Sequence, residues 1–117
     1  NELLIGNINA EIDWGYAGDF VKAFVEILNC DVSDDFIIAT GKINKLKVFI
    51  SHVFSYLELD WEKYVREDQS FLIRKINGVL CGDYQKLNKL TGWKPTADLE
   101  SLAEIMVNKE LELSTLN

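Results

Sequence analysis

The chain has 117 residues, 48% of them hydrophobic and 26% charged, with 7 Gly and 1 Pro; this is globular composition and excludes disordered, collagen-like and low-complexity classes. Nineteen acids against 12 bases give a net charge of −7, spread as −6 over residues 1–60 and −1 over residues 61–117. With no basic face to displace phosphate counterions, nucleic acid and anionic membranes are excluded as partners.

The length fits one domain of roughly 100–150 residues. No apolar run approaches the roughly 18 residues of a membrane helix, and no signal peptide is visible. Cys30 and Cys81 stand far apart in apolar contexts. They are expected as buried, reduced thiols of a cytoplasmic protein. His52 is the single histidine, so a His-rich metal site is excluded. The chain opens on Asn1 rather than Met, which is expected of a piece or a processed product.

In chain order, Leu3-Leu4-Ile5 predicts a short strand stopped at Gly6-Asn7. A polar stretch to Gly15 follows. From Tyr16 to Leu28 the residues Ala17, Phe20, Val21, Phe24, Ile27 and Leu28 recur at helical spacing. Asn29 to Asp35 is a polar connection. Phe36 to Thr40 is apolar and β-branched, and predicts a strand buried on both faces. Asn44 is placed as the N-cap of a helix carrying Leu46, Phe49, Ile50, Val53, Phe54 and Leu57, with His52 as a surface residue. Leu59 to Tyr64 predicts a tight turn or one helical turn. Residues 65–79 are irregular, with short strands around Val65 and Val79. Asp83 caps a helix over Tyr84–Leu90 that stops at Gly92. Trp93-Lys94-Pro95 is a loop. Asp98 caps a last helix with the stripe Leu99, Leu102, Ile105 and Met106, and Thr115 to Asn117 is expected to fray. Two or three strands are too few for a doubly wound sheet. The expected class is therefore α/β, as part of a larger protein. The lone strand at 36–40 would recruit a neighbour, so self-association is expected.

Catalytic motifs are missing. Neither GxGxxG nor GxxxxGK[ST] occurs, no tyrosine is followed at the fourth position by lysine, and GxSxG and HExxH do not appear. The acidic pairs Asp34-Asp35 and Glu67-Asp68 stand in polar contexts and read as solvated surface.

Residues 5–21, Ile-Gly-Asn-Ile-Asn-Ala-Glu-Ile-Asp-Trp-Gly-Tyr-Ala-Gly-Asp-Phe-Val, resemble the GN-x-x-x-x-RDWG-x-A-x-DYV stretch of GDP-mannose 4,6-dehydratases. Asp35 to Gly41 resembles their DYVIATG, and Leu59 to Val65 their LDWEKYV. Gly82-Asp83 with Lys86, then Leu90 to Pro95, resembles their GD-x-x-K-x-x-x-x-LGWKP. The similarity runs over nearly the whole chain in order. It implies the carboxyl-terminal portion of an extended short-chain dehydrogenase/reductase: the substrate-binding lobe plus the edge of a Rossmann sheet. On this reading residues 1–117 are the sugar-nucleotide-binding portion, and the Rossmann cofactor domain lies outside the chain. The family binds NADP and converts GDP-mannose to GDP-4-dehydro-6-deoxymannose and water. Its catalytic residues and glycine loop lie upstream of every matched motif, so the isolated chain is expected to be inactive and to bind no cofactor. An epimerase or 4-keto reductase portion, and a stand-alone non-catalytic interaction module, remain alternative readings.

The site residues the resemblance implies are Asn7, Asp13 and Trp14, with Arg74 and Lys75 as the local cation pair for a diphosphate. No catalytic residue and no metal is implied. Three departures bear on binding. The family's Arg before Asp-Trp-Gly is Ile12, and both arginines and the Glu of DPRYFRPAEV fall on Ser70, Ile73 and Ile76. A diphosphate is best held by guanidinium contacts. At about 1.5–3 kcal/mol per charged hydrogen bond, their loss weakens nucleotide binding unless Arg74 and Lys75 replace them.

Overall fold

A computed structural model describes residues 1–71 and 78–115. Strand β1 (Leu3–Ile5) pairs in parallel with β4 (Val65–Glu67), Leu3 opposite Val65. Strand β2 (Glu11–Asp13) pairs antiparallel with β3 (Ile43–Lys45), Ile12 opposite Asn44. The helices are α1 (Ala17–Leu28), α2 (Leu46–Tyr56), the single turn α3 (Trp61–Tyr64), α4 (Gln85–Thr91) and α5 (Leu99–Thr115). This is a mixed α/β arrangement of two two-stranded sheets among helices, 53 × 40 × 21 Å.

Two packing centres hold it. In the first, Ala23 of α1, Leu87 of α4 and Trp93 are buried, with Phe20, Ile27, Phe36, Ile38 and Tyr84 packed around them. Tyr84 meets Trp93 edge-on, with centroids 5.7 Å apart. The Trp93 indole N–H donates to the Asp19 carbonyl at 3.0 Å. The apolar half of the Gly-Trp-Lys-Pro motif is thus the plug of this core. In the second centre α2 lies against α5, burying Ile50 with Leu102, Ala103 and Val107, and the Tyr56 hydroxyl donates to Asn108 at 2.9 Å. The buried α5 stripe is Leu99, Leu102, Ala103 and Val107, one helical face. Ile105 and Met106, expected on it, are exposed at 40% and 53%.

Several expectations need correction. Residues 36–40 form no strand. The amides of Thr40 and Gly41 are instead drawn to the Asp13 carboxylate, and Ile37 is 58% exposed, so the segment is not buried on both faces. The edge from which self-association was argued is therefore not there. Asn44 is not a helix cap; it lies in β3. The first amides of α2 are satisfied by backbone, Leu46 donating to the Ala10 carbonyl and Lys47 to that of Ile8, so no side-chain cap is needed. Strand β2 arises in the stretch read as polar, for which no strand was expected. Val79 lies in no ladder. Cys81 is exposed rather than buried, and Cys30 half-buried; both are free.

Other local signals hold. Asp98 accepts from the Ser101 amide and hydroxyl, as an N-cap does; Asp83 accepts from the Gln85 amide, but α4 starts one residue later than expected, with Tyr84 rather than Asp83 at its N-cap and no side-chain cap. Gly92 ends α4 at φ 76°, a left-handed position where a Cβ is disfavoured. His52, expected at the surface, is on α2 as read but half-buried.

Gly82 is a site of close approach. A Cβ there would lie 2.2 Å from the Ala39 Cβ and 3.3 Å from Ile37 Cγ2. Gly82→Ala must push two chain segments apart and is expected to cost about 1–3 kcal/mol. Chemical denaturation checks this, and an unchanged midpoint counts against the close packing of residues 37–39 on 82.

Candidate functional site

Two aspartates frame the region. Asp19, in the first turn of α1, is 1% exposed. It accepts from the Thr96 amide (2.8 Å), the Thr96 hydroxyl (2.7 Å) and the Ala97 amide (3.0 Å). Burial pushes its carboxyl upward. The Thr96 hydroxyl, the two amides and the charge of Lys22 outweigh this and hold it below the usual carboxylate range. Asp13, at the end of β2, accepts from the Thr40 amide and hydroxyl, the Gly41 amide and the Gly82 amide. Here too burial raises the carboxyl, and four hydrogen bonds from Thr40, Gly82 and Gly41 hold it low. A carboxylate held by several donors stays ionised, so neither group is suited to carry a proton at neutral pH.

Between these clamps lies a cleft of about 250 Å³. One wall is Trp14, Thr40, Lys42 and Asn44; the other is Pro95 to Leu99. Trp14 stacks on Phe49 of α2 with centroids 5.0 Å apart and planes at 24°. Its indole nitrogen is buried, with no hydrogen-bond partner among the described residues. Asp98, at the far wall, is held low chiefly by the Ser101 amide and hydroxyl, with small contributions from the charges of Lys42 and His52. The cleft therefore offers an aromatic body, an amide, an ammonium and a carboxylate, and no acid–base pair of shifted carboxyls. It is smaller than the roughly 300–1,000 Å³ of a pocket enclosing a drug-sized ligand. Two larger hollows flank α1. That lined by Glu26, Asn29, Cys30, Asp31, Val32, Leu90 and Thr91 (about 400 Å³) has acids and no cation. The other, of about 320 Å³, carries Lys22 and Lys94 beside Trp93.

Of the residues singled out from sequence, Trp14 lines the cleft, and Asp13 anchors Thr40, one of its walls. Asn7 stands apart on an exposed turn, its side-chain oxygen accepting from the Asn9 amide at 2.9 Å. Arg74 and Lys75, like Ile73 and Ile76, lie outside the described residues. Ser70 is exposed, its amide bonded to Asp68 at 2.9 Å. Ile12 is 40% exposed in β2. Sequence reading did not assign Lys42 or Asn44 to the site, and no local pattern marks them for it: the cleft forms because β3 returns antiparallel beside β2. Among the described residues no three His, Cys, Asp or Glu stand together to hold a metal ion, and no helix is long and apolar enough to cross a membrane.

"GDP-mannose 4,6 dehydratase 2" of Arabidopsis thaliana is 37% identical over 113 residues, covering 97% of this chain and 30% of that protein. Among solved structures, RMD from Pseudomonas aeruginosa complexed with NADPH superposes with a TM-score of 0.80 at 18% identity, over 92% of this chain and 35% of that one. A UDP-glucose-4-epimerase from Stenotrophomonas maltophila, with bound NAD and formylated UDP-arabinopyranose, gives 0.80 at 16% identity, over 99% and 37%. At such identities the structures speak for the fold alone, that of the extended epimerases and dehydratases, and the chain spans about a third of the length of each of these three proteins. The family profile described as GDP-mannose 4,6 dehydratase matches residues 1–106, nearly the whole chain, and by that match the chain belongs to the GDP-mannose 4,6-dehydratase family.

Proposed function

We propose that residues 1–117 form the sugar-nucleotide-facing part of a GDP-mannose 4,6-dehydratase, and that the NADP-binding Rossmann portion lies outside them. The observation that supports this most is the pairing of near-complete coverage of this chain with only 30% coverage of the Arabidopsis relative. The family chemistry needs an upstream glycine loop and a Tyr-x-x-x-Lys pair, and this sequence has neither. The 117 residues would bind and orient a GDP-sugar, with hydride transfer and water loss belonging to the assembled cytoplasmic enzyme.

Within this reading Trp14 supplies an apolar wall, and Asp13 keeps Thr40 and Gly82 in place around it. Asn7 presents a polar turn, and Arg74 and Lys75 supply the cations for the diphosphate in place of the arginines replaced at Ile12, Ser70 and Ile73. The test is a thermal-shift series with GDP, GDP-mannose and UDP-glucose. A ligand at a hundredfold excess over its Kd stabilises by about 2.7 kcal/mol. GDP-mannose is expected to raise the melting temperature more than UDP-glucose does, and Arg74→Ala to remove most of that rise. Equal shifts with both sugars, or none with GDP-mannose at millimolar concentration, would falsify the assignment of a guanosine ligand.

A further inference from the structure

The cleft between β3 and the start of α5 holds hydrogen-bonding groups that the chain itself leaves unused. Trp14 Nε1 is buried and has no partner among the described residues. The stack on Phe49, at 5.0 Å and 24°, holds the ring and so fixes the N–H. A buried donor left unpaired is costly, and nearly all such donors in folded proteins have a partner. Lys42 stands on the same wall and is in no ion pair among the described residues. On the facing wall Asp98 takes the Ser101 amide and hydroxyl on one oxygen, Oδ1. Its Oδ2 takes no hydrogen bond among the described residues. The Asp98 carboxyl is held below its ordinary value, chiefly by Ser101, and is ionised at neutral pH. One wall therefore offers donors and a positive charge, and the other offers a carboxylate.

We propose that this cleft binds a small amino carboxylate, whose carboxylate accepts from the Trp14 indole N–H and the Lys42 ammonium and whose ammonium donates to Asp98 Oδ2. The unlike walls call for both charges on one ligand. A carboxylate alone would meet Lys42 but also face Asp98, and like charges at short range repel. A cation alone would leave the indole N–H without an acceptor. A net anion is also repelled by a chain of charge −7, whereas a zwitterion is neutral overall. Size agrees. The cleft, about 250 Å³, lies below the roughly 300–1,000 Å³ of pockets for drug-sized ligands; it suits an aliphatic amino acid of a few carbons and cannot enclose a GDP-sugar. Asn44 lines the same wall as Lys42, and its amide can serve either end of the ligand. This goes beyond the GDP-sugar reading and does not rest on it: there Trp14 is a wall, and here the edge of its ring is a donor.

The test is an NMR titration of the 117-residue chain with glycine, β-alanine and γ-aminobutyrate, with acetate and methylammonium as single-charge controls. The chain has 3 Trp, so each indole N–H can be followed. That of Trp14 is the resonance lost in Trp14→Phe, which keeps a ring against Phe49; its cross-relaxation with the Phe49 ring identifies it should that variant not fold. The Trp93 indole, already bonded to the Asp19 carbonyl, is the internal reference. At least one amino acid is expected to move the Trp14 resonance downfield saturably, with a Kd on the order of 1 mM and ~10-fold or more tighter than either control. Lys42 is exposed, so Lys42→Met is expected to leave the melting temperature within ~2 °C. It is expected to weaken the binding ~10-fold or more. No saturable movement with any of the amino acids at ~0.1 M overturns the proposal. So does acetate binding as tightly as the amino acids, or Lys42→Met binding as well as the parent. A Trp14 resonance that lies downfield from the start and is moved by no compound assigns the indole to a bound water, and overturns it too. No nucleotide enters the titration, so its outcome is read separately from that of the GDP-mannose series.

Discussion

Asp19→Ala is expected to cost about 3–5 kcal/mol, a large share of the roughly 5–15 kcal/mol that holds a domain together. The carboxylate gathers three donors from a loop 77 and 78 residues away, and its own backbone carbonyl takes the Trp93 indole N–H. Removing it leaves the part-buried Thr96 and Ala97 amides without a partner in the wholly buried space of the carboxylate, 1% exposed, at about 1–3 kcal/mol for each group left unpaired. The Thr96 hydroxyl, on an exposed residue, can turn to water and is discounted. Asp19→Asn can keep one oxygen on the Thr96 and Ala97 amides and turn its NH₂ to the Thr96 hydroxyl, so only the added strength of charged hydrogen bonds is lost and an intermediate loss is expected. Urea denaturation with equal m-values reads both, and a loss under 1 kcal/mol for the alanine variant contradicts the clamp. The pH dependence has a definite sign. The folded carboxyl is held below its ordinary value of 3.8, so its stabilisation is fully present above that value and fades as the pH falls through the lower folded one. The gap between wild type and Asp19→Asn should therefore be constant from pH 5 to 7 and narrow below about pH 4.

That clamp shows why part of the site was hidden in the sequence. Asp19 reads locally as an ordinary first-turn acid, favourable to the helix dipole; its partners share no pattern with it. The α1 and α4 helices, the Gly92 stop and the Asp98 cap were legible because their causes lie within a turn or two of the residue concerned. Residues 36–40 misled for the opposite reason. Apolar β-branched residues fit either a buried strand or any segment pressed on a core, and only the Asp13 carboxylate, which captures the Thr40 and Gly41 amides, decides between them. Lys86 is a middle case. The motif match marked the residue without revealing what it does. It pairs with Asp34 at 2.6 Å, donates to the Asp35 carbonyl and lies over the Phe36 ring at 5.4 Å. It ties the segment entering the cleft wall to α4. The pattern of matched residues thus recorded contacts between distant segments, while periodicity recorded only the segments.

Asp13→Ala is expected to be the second most damaging change, at about 2–4 kcal/mol for the amides it frees, and the one that separates framework from ligand contact. It releases the Thr40 and Gly41 amides, the Thr40 hydroxyl and, from 69 residues away, the Gly82 amide. Asp13 is half-buried and Gly41 exposed, so water replaces part of what is lost, which sets the figure below that for Asp19. Because these four hydrogen bonds all run to the chain itself, loss of stability and loss of any GDP-mannose response should appear together. Thr40→Val is the companion test. It removes only the hydroxyl contact, and the unpaired carboxylate lone pair should cost about 1–2 kcal/mol while loosening the same wall of the cleft. If Asp13 acts by positioning, Thr40→Val weakens the ligand response in proportion to its own loss of stability. If Asp13 instead touches the nucleotide, Asp13→Asn abolishes the response with the fold intact and Thr40→Val leaves it untouched. The first pattern is expected, since a carboxylate already saturated by four donors has little left to offer a ligand, and beside a diphosphate its charge would repel.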